Sequence, residues 1–69
     1  MTDENLRELL ALQLPYTRKA EVREFTYDSG LKMLRLVLRE GKRITQVELD
    51  AETAAALGQV LSDWAEEQA

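Results

Sequence analysis

Leu31-Lys32-Met33-Leu34-Arg35-Leu36-Val37-Leu38-Arg39-Glu40-Gly41-Lys42-Arg43-Ile44-Thr45-Gln46-Val47-Glu48-Leu49-Asp50 decides the fold, because two runs of period-two apolar residues are joined by Gly41-Lys42 and end on Asp50. Gly41-Lys42 suits a type II′ hairpin turn, with glycine at the position that needs positive φ. That turn pairs Glu40 with Arg43, Leu38 with Thr45, Leu36 with Val47 and Leu34 with Leu49. Working back toward the N-terminus, Asp28-Ser29-Gly30 separates another apolar run from this pair. A two-residue turn at Ser29-Gly30 sets Phe25 opposite Leu34 and Glu24 opposite Arg35. A three-stranded antiparallel β-meander over residues 19–49 follows.

The pairing sorts side chains onto two faces. One collects Phe25, Tyr27, Leu34, Leu36, Leu38, Val47 and Leu49. The other is mixed: Val22, Glu24, Thr26, Met33, Arg35, Val37, Ile44, Gln46 and Glu48. A slip of one residue would send a whole strand to the wrong side, so the turn types carry the assignment.

Working forward, Asp50 is an N-cap and Glu52 sits in the first helical turn. Ala54, Leu57, Gly58, Leu61, Trp64 and Ala65 then recur at three- and four-residue steps, which predicts an amphipathic helix over 51–67 covering the apolar face. Gly58 lowers helix propensity by about 1 kcal/mol relative to Ala, and its place on the stripe predicts a close approach to the sheet. Trp64 belongs to the same stripe and is expected in the core.

At the other end, Leu6, Leu9, Leu10 and Leu14 suggest a short helix over 3–14, capped by Thr2 or Asp3 and ended by Pro15. Leu12 puts apolar residues on more than one side of it, so this helix needs a docking surface, either the mixed sheet face or a second copy. Tyr16 is expected to anchor the connection to the first strand against the core. The fold class is therefore α+β, one domain over residues 1–69, in the order α-β-β-β-α.

The 69 residues include no histidine and no cysteine, with 45% hydrophobic and 32% charged side chains, which suits a packed domain without disulfides, thiolate metal sites or thiol chemistry. A chain of this length buries only about 60% of its unfolded surface, so self-association is a natural source of extra stability. Charge is uneven. From Arg18 to Arg43 there are eight basic residues against four acidic, and the flanks hold one basic against nine acidic.

No constellation of catalytic groups stands out. Asp63, Glu66 and Glu67 are most simply a solvated helix face, and the three isolated glycines make no phosphate loop. No enzyme activity, cofactor or metal is expected. No run approaches the roughly 20 apolar residues of a membrane-spanning helix, and an acidic start lacks the positive charge of a secretory signal, so a cytoplasmic protein is expected. The mixed face supplies the candidate interaction surface: Val22, Met33, Arg35, Val37, Arg39 and Ile44. Its apolar members favour a protein partner, with a homodimer first. The alternative is a single-stranded nucleic-acid-binding regulator using Lys19, Arg35, Arg39, Lys42 and Arg43. The expected inward placement of Phe25 and Tyr27 weighs against that alternative, because sheet-based readers of single strands expose aromatic platforms.

The order of strands running into a helix, with Ile44 to Leu49 leading to Asp50, resembles the topology of the single-stranded-DNA-binding coactivator family over about 22–64. That resemblance implies dimers built from a meander and a helix. The family has four strands and a strongly basic binding face, and the three strands and net acidic charge predicted here depart from it. Leu14-Pro15-Tyr16-Thr17-Arg18-Lys19, Tyr27-Asp28-Ser29-Gly30-Leu31 and Leu49-Asp50-Ala51-Glu52-Thr53-Ala54-Ala55 resemble elements of a small uncharacterised bacterial protein family, which implies no particular activity.

Overall fold

A computed structural model describes residues 5–69. Its elements are β1 (Leu6–Leu14), β2 (Arg18–Thr26), β3 (Lys32–Glu40), β4 (Arg43–Leu49) and α1 (Ala51–Glu67), with one 3-10 turn at Pro15–Thr17. The strands form one antiparallel sheet in the order β1-β2-β3-β4. The architecture is α+β, with four strands rather than three.

The helix expected over 3–14 is the extra strand. Leu10, Leu12 and Leu14 alternate with Ala11 and Gln13, and pair with Val22, Ala20 and Arg18. A bulge between Glu8 and Leu10 absorbs one residue, so Leu6 lies on the opposite face from Leu10. Leucines on several sides of a helix thus become leucines mostly on one side of a bulged strand. The other gain is to β2, whose outer backbone groups are satisfied by β1 instead of being left as an open edge. The expected caps Thr2 and Asp3 lie outside the described residues.

Pro15 closes β1 where the sequence places the boundary, but the turn that follows is unusual. Tyr16 (φ 65°, ψ 37°) and Thr17 (φ 58°) are both left-handed, a conformation that disfavours non-glycine residues and β-branched ones most. Tyr16 is 84% exposed. It therefore does not anchor the connection in the core; Arg18 sits over its ring at 5.9 Å.

The β3–β4 hairpin has the predicted register throughout, from Glu40 opposite Arg43 to Leu34 opposite Leu49. Gly41 has φ +59° and Lys42 is not left-handed, as a type II′ turn requires. The β2–β3 hairpin is shifted by one residue from the predicted pairing: Phe25 faces Met33 and Glu24 faces Leu34. Tyr27 N–H donates to the Leu31 carbonyl and Gly30 N–H to the Tyr27 carbonyl, each at 2.8 Å, while Gly30 has φ +93°. This is a three-residue loop with glycine at its left-handed end. The extra loop residue turns the whole of β2 over. Phe25 and Tyr27 consequently leave the helix side of the sheet, and Val22 and Glu24 join it.

Asp50 caps α1, accepting a hydrogen bond from Thr53 N–H at 2.8 Å. Hydrogen bonding from the Thr53 side chain, and then from its backbone N–H, holds the Asp50 carboxyl below its ordinary pKa. The helix folds back over β3 and β4. Its cover is partial. Leu57 is 41% exposed, Leu61 60% and Trp64 63%, so Trp64 is not a core residue of its own chain. A Cβ built on Gly58 meets nothing within 4 Å, so the close approach expected there does not occur within this chain.

Candidate functional site

Register divides the sheet into a helix face and an open face. On the helix face, β1 contributes Leu10, Leu12 and Leu14, β2 Ala20 and Val22, β3 Leu34, Leu36 and Leu38, and β4 Val47 and Leu49. Charges occur only at its ends. Arg7 and Glu24 pair at 3.1 Å on one side, and Arg18 pairs with Glu40 on the other. Between α1 and the sheet runs an apolar groove of about 250 Å³, lined by Val22, Leu34, Leu36 and Leu49 below and Ala54, Leu57, Gly58 and Leu61 above. Beyond it, Leu10 and Leu12 are each 46% exposed and Val47 45%.

The open face has the opposite chemistry. Glu21, 9% exposed, accepts from Arg23 at 2.9 Å and from Arg39 at 3.3 Å, with the Lys19 ammonium at 4.0 Å. Arg23 also reaches Glu8 at 3.0 Å. Next to this lattice lies Val37, 2% exposed, with Glu21 and Gln46 as its cross-strand neighbours. At the hairpin end, Glu48 accepts from Arg35 and from the Tyr27 hydroxyl, each at 2.8 Å. Phe25 stands edge-on to Tyr27 with ring centres 4.8 Å apart, and the Arg35 guanidinium covers Phe25 at 5.0 Å. The hydrogen bonds from Arg35 and then Tyr27 hold the Glu48 carboxyl below its usual range, and the bond to Glu48 pushes the Tyr27 phenol up.

Of the six predicted interaction residues, Met33, Arg35, Val37, Arg39 and Ile44 share the open face. Val22 does not, since the shifted hairpin sets it opposite Leu36 in the groove. The apolar patch imagined from Val22, Met33, Val37 and Ile44 is therefore divided: Val37 is buried, Val22 faces α1, and Ile44 stands 51% exposed on the outermost strand. Arg35 takes Glu48 rather than Glu24 as its partner, because Glu24 has moved to the other face with Arg7. The surface that sequence reasoning missed is the apolar helix face of β1. The signal for it was the alternation of Leu10, Leu12 and Leu14.

Among the described residues, no group of three acidic side chains is placed to hold a metal ion, and no helix is long and apolar enough to cross a membrane. A family model matches residues 3–67. The chain belongs to DUF6967, a family of unknown function. The match spans both the β1 strand and α1, so the DUF6967 unit is the whole four-stranded sheet with its helix. No curated protein and no solved structure matches the chain.

Proposed function

We propose that this DUF6967 chain is a non-enzymatic, cytoplasmic interaction module that self-associates through its helix face. One observation carries the reading: a continuous apolar surface, made by the sheet and the stripe of α1, stays about half exposed in the single chain. A contiguous apolar surface left exposed marks an interaction site, and burying it contributes roughly 25 cal/mol per Å². A twofold dimer buries the same patch on both copies. Sedimentation equilibrium across a wide concentration range tests this directly. A dimer is expected; a monomer at millimolar concentration would sink the reading.

A second reading, binding of single-stranded nucleic acid on the open face, is favoured by the position of Phe25 and Tyr27 beside Arg35 on that face. Its weakness is electrostatic, since Glu8, Glu21 and Glu48 occupy the guanidiniums that would contact phosphates. An amide-resonance titration with a short single-stranded oligonucleotide separates the two. Shifts at Phe25, Arg35 and Arg39 that disappear with added salt would support nucleic-acid binding, and unchanged spectra at low salt would remove it.

A further inference from the structure

We infer that in the dimer the α1 helix of each copy lies on the β1–β2 half of the partner's helix face, a mode of association that rests on the self-association proposed above. The unburied surfaces are complementary in kind. In its own chain α1 packs against β3 and β4, leaving Leu61 and Trp64 more than half exposed, while Leu10 and Leu12 on β1 have no helix above them. A helix of 17 residues is about 25 Å long and a strand of nine about 30 Å, so one spans the other. Each surface lacks what the other supplies.

Charge points the same way. The side chains of α1 that carry charge are all acidic, namely Glu52, Asp63, Glu66 and Glu67. Among the described residues, no ion pair joins them to the sheet of their own chain. The far rim of the helix face carries Arg18 and Arg43 on either side of Glu40, with Lys42 in the adjoining turn, a basic edge suited to the acidic last turns of a second helix. The area also suffices. The chain exposes 5665 Å², against about 4,400 Å² for a compact monomer of its mass. The excess, about 1,300 Å² over the whole chain, is more than the roughly 800 Å² per partner of a standard interface.

The test uses the wild-type chain: isotope-filtered NOE spectra on a mixture of ¹³C-labelled and unlabelled protein, alongside sedimentation. The expected result is a dimer with intermolecular NOEs from the Trp64 ring and Leu61 methyls to Leu10, Leu12 and Ala20. A dimer whose intermolecular NOEs join only β1 to β1, or only α1 to α1, would overturn this arrangement and leave self-association standing. A monomer would overturn both. In the expected dimer, Leu12→Lys raises the dissociation constant roughly 30-fold or more with far-ultraviolet dichroism unchanged; an unaltered constant counts against the arrangement even where the NOEs are sparse.

Discussion

On the open face, Glu21 lies between Lys19, Arg23 and Arg39 and Val37 is 2% exposed, whereas on the helix face Leu10, Leu12 and Val47 remain about half exposed beside the apolar groove. The open face is finished by its own side chains: long cationic stems cover apolar neighbours while their heads meet carboxylates. The helix face has long polar side chains only at its ends, leaving its apolar middle to a single helix set to one side. A sheet needs a second layer over its apolar face, and here one helix covers only part of it. The contrast separates the part of the molecule that is stable by itself from the part that needs a partner.

Four perturbations sharpen that contrast. Leu36→Ala, in the groove, is expected to lower stability by about 3 kcal/mol, with a loss that grows with protein concentration because the site is completed by association. A concentration-independent loss in chemical denaturation would break the distinction between the faces. Glu21→Ala, on the open face, removes one carboxylate from three cations and is expected to lower stability by about 2 kcal/mol, equally at all concentrations. Thr17→Gly relieves a left-handed β-branched residue at the β1–β2 turn and is expected to raise stability by about 1 kcal/mol; it touches neither face, so the dissociation constant should not move.

The smallest effect is the pH dependence of the Tyr27–Glu48–Arg35 cluster. Glu48 has a lowered pKa in the folded chain, chiefly through Arg35 and then Tyr27. Its contribution is therefore present above the unfolded value near pH 4 and is lost as pH falls through the folded value. Tyr27 has a raised pKa through its bond to Glu48. Its contribution is present below about pH 10 and is lost as pH rises through the folded value. Glu48→Gln should flatten both limbs of a stability-against-pH profile, and limbs unchanged by that substitution would show that the cluster is energetically idle.

Particular residues show how far the sequence reaches. Gly41-Lys42 specified its hairpin, and with it every pair from Glu40–Arg43 to Leu34–Leu49, because a two-residue turn admits one register. Asp50 and the stripe from Ala54 to Ala65 specified α1 in the same local way. Asp28-Ser29-Gly30 located a turn without specifying its length: glycine serves a two-residue loop and a three-residue loop equally, and the choice reversed the facing of Val22, Glu24, Phe25 and Tyr27. The candidate interaction face lost Val22 for that reason alone. Leu6 to Leu14 was ambiguous in a different way, since leucine is a good helix former and the bulge disguised the period of two.

The amino-acid sequence by itself determined an α+β chain, the β3–β4 register and the capped amphipathic helix, because each depends on residues within a few positions of one another. Only the tertiary structure decided that residues 6–14 form a fourth strand, that Phe25 and Tyr27 join Arg35 on the open face, and that α1 covers part of the apolar face. Those outcomes depend on backbone hydrogen bonds and apolar surfaces supplied by distant segments, which local propensity does not contain.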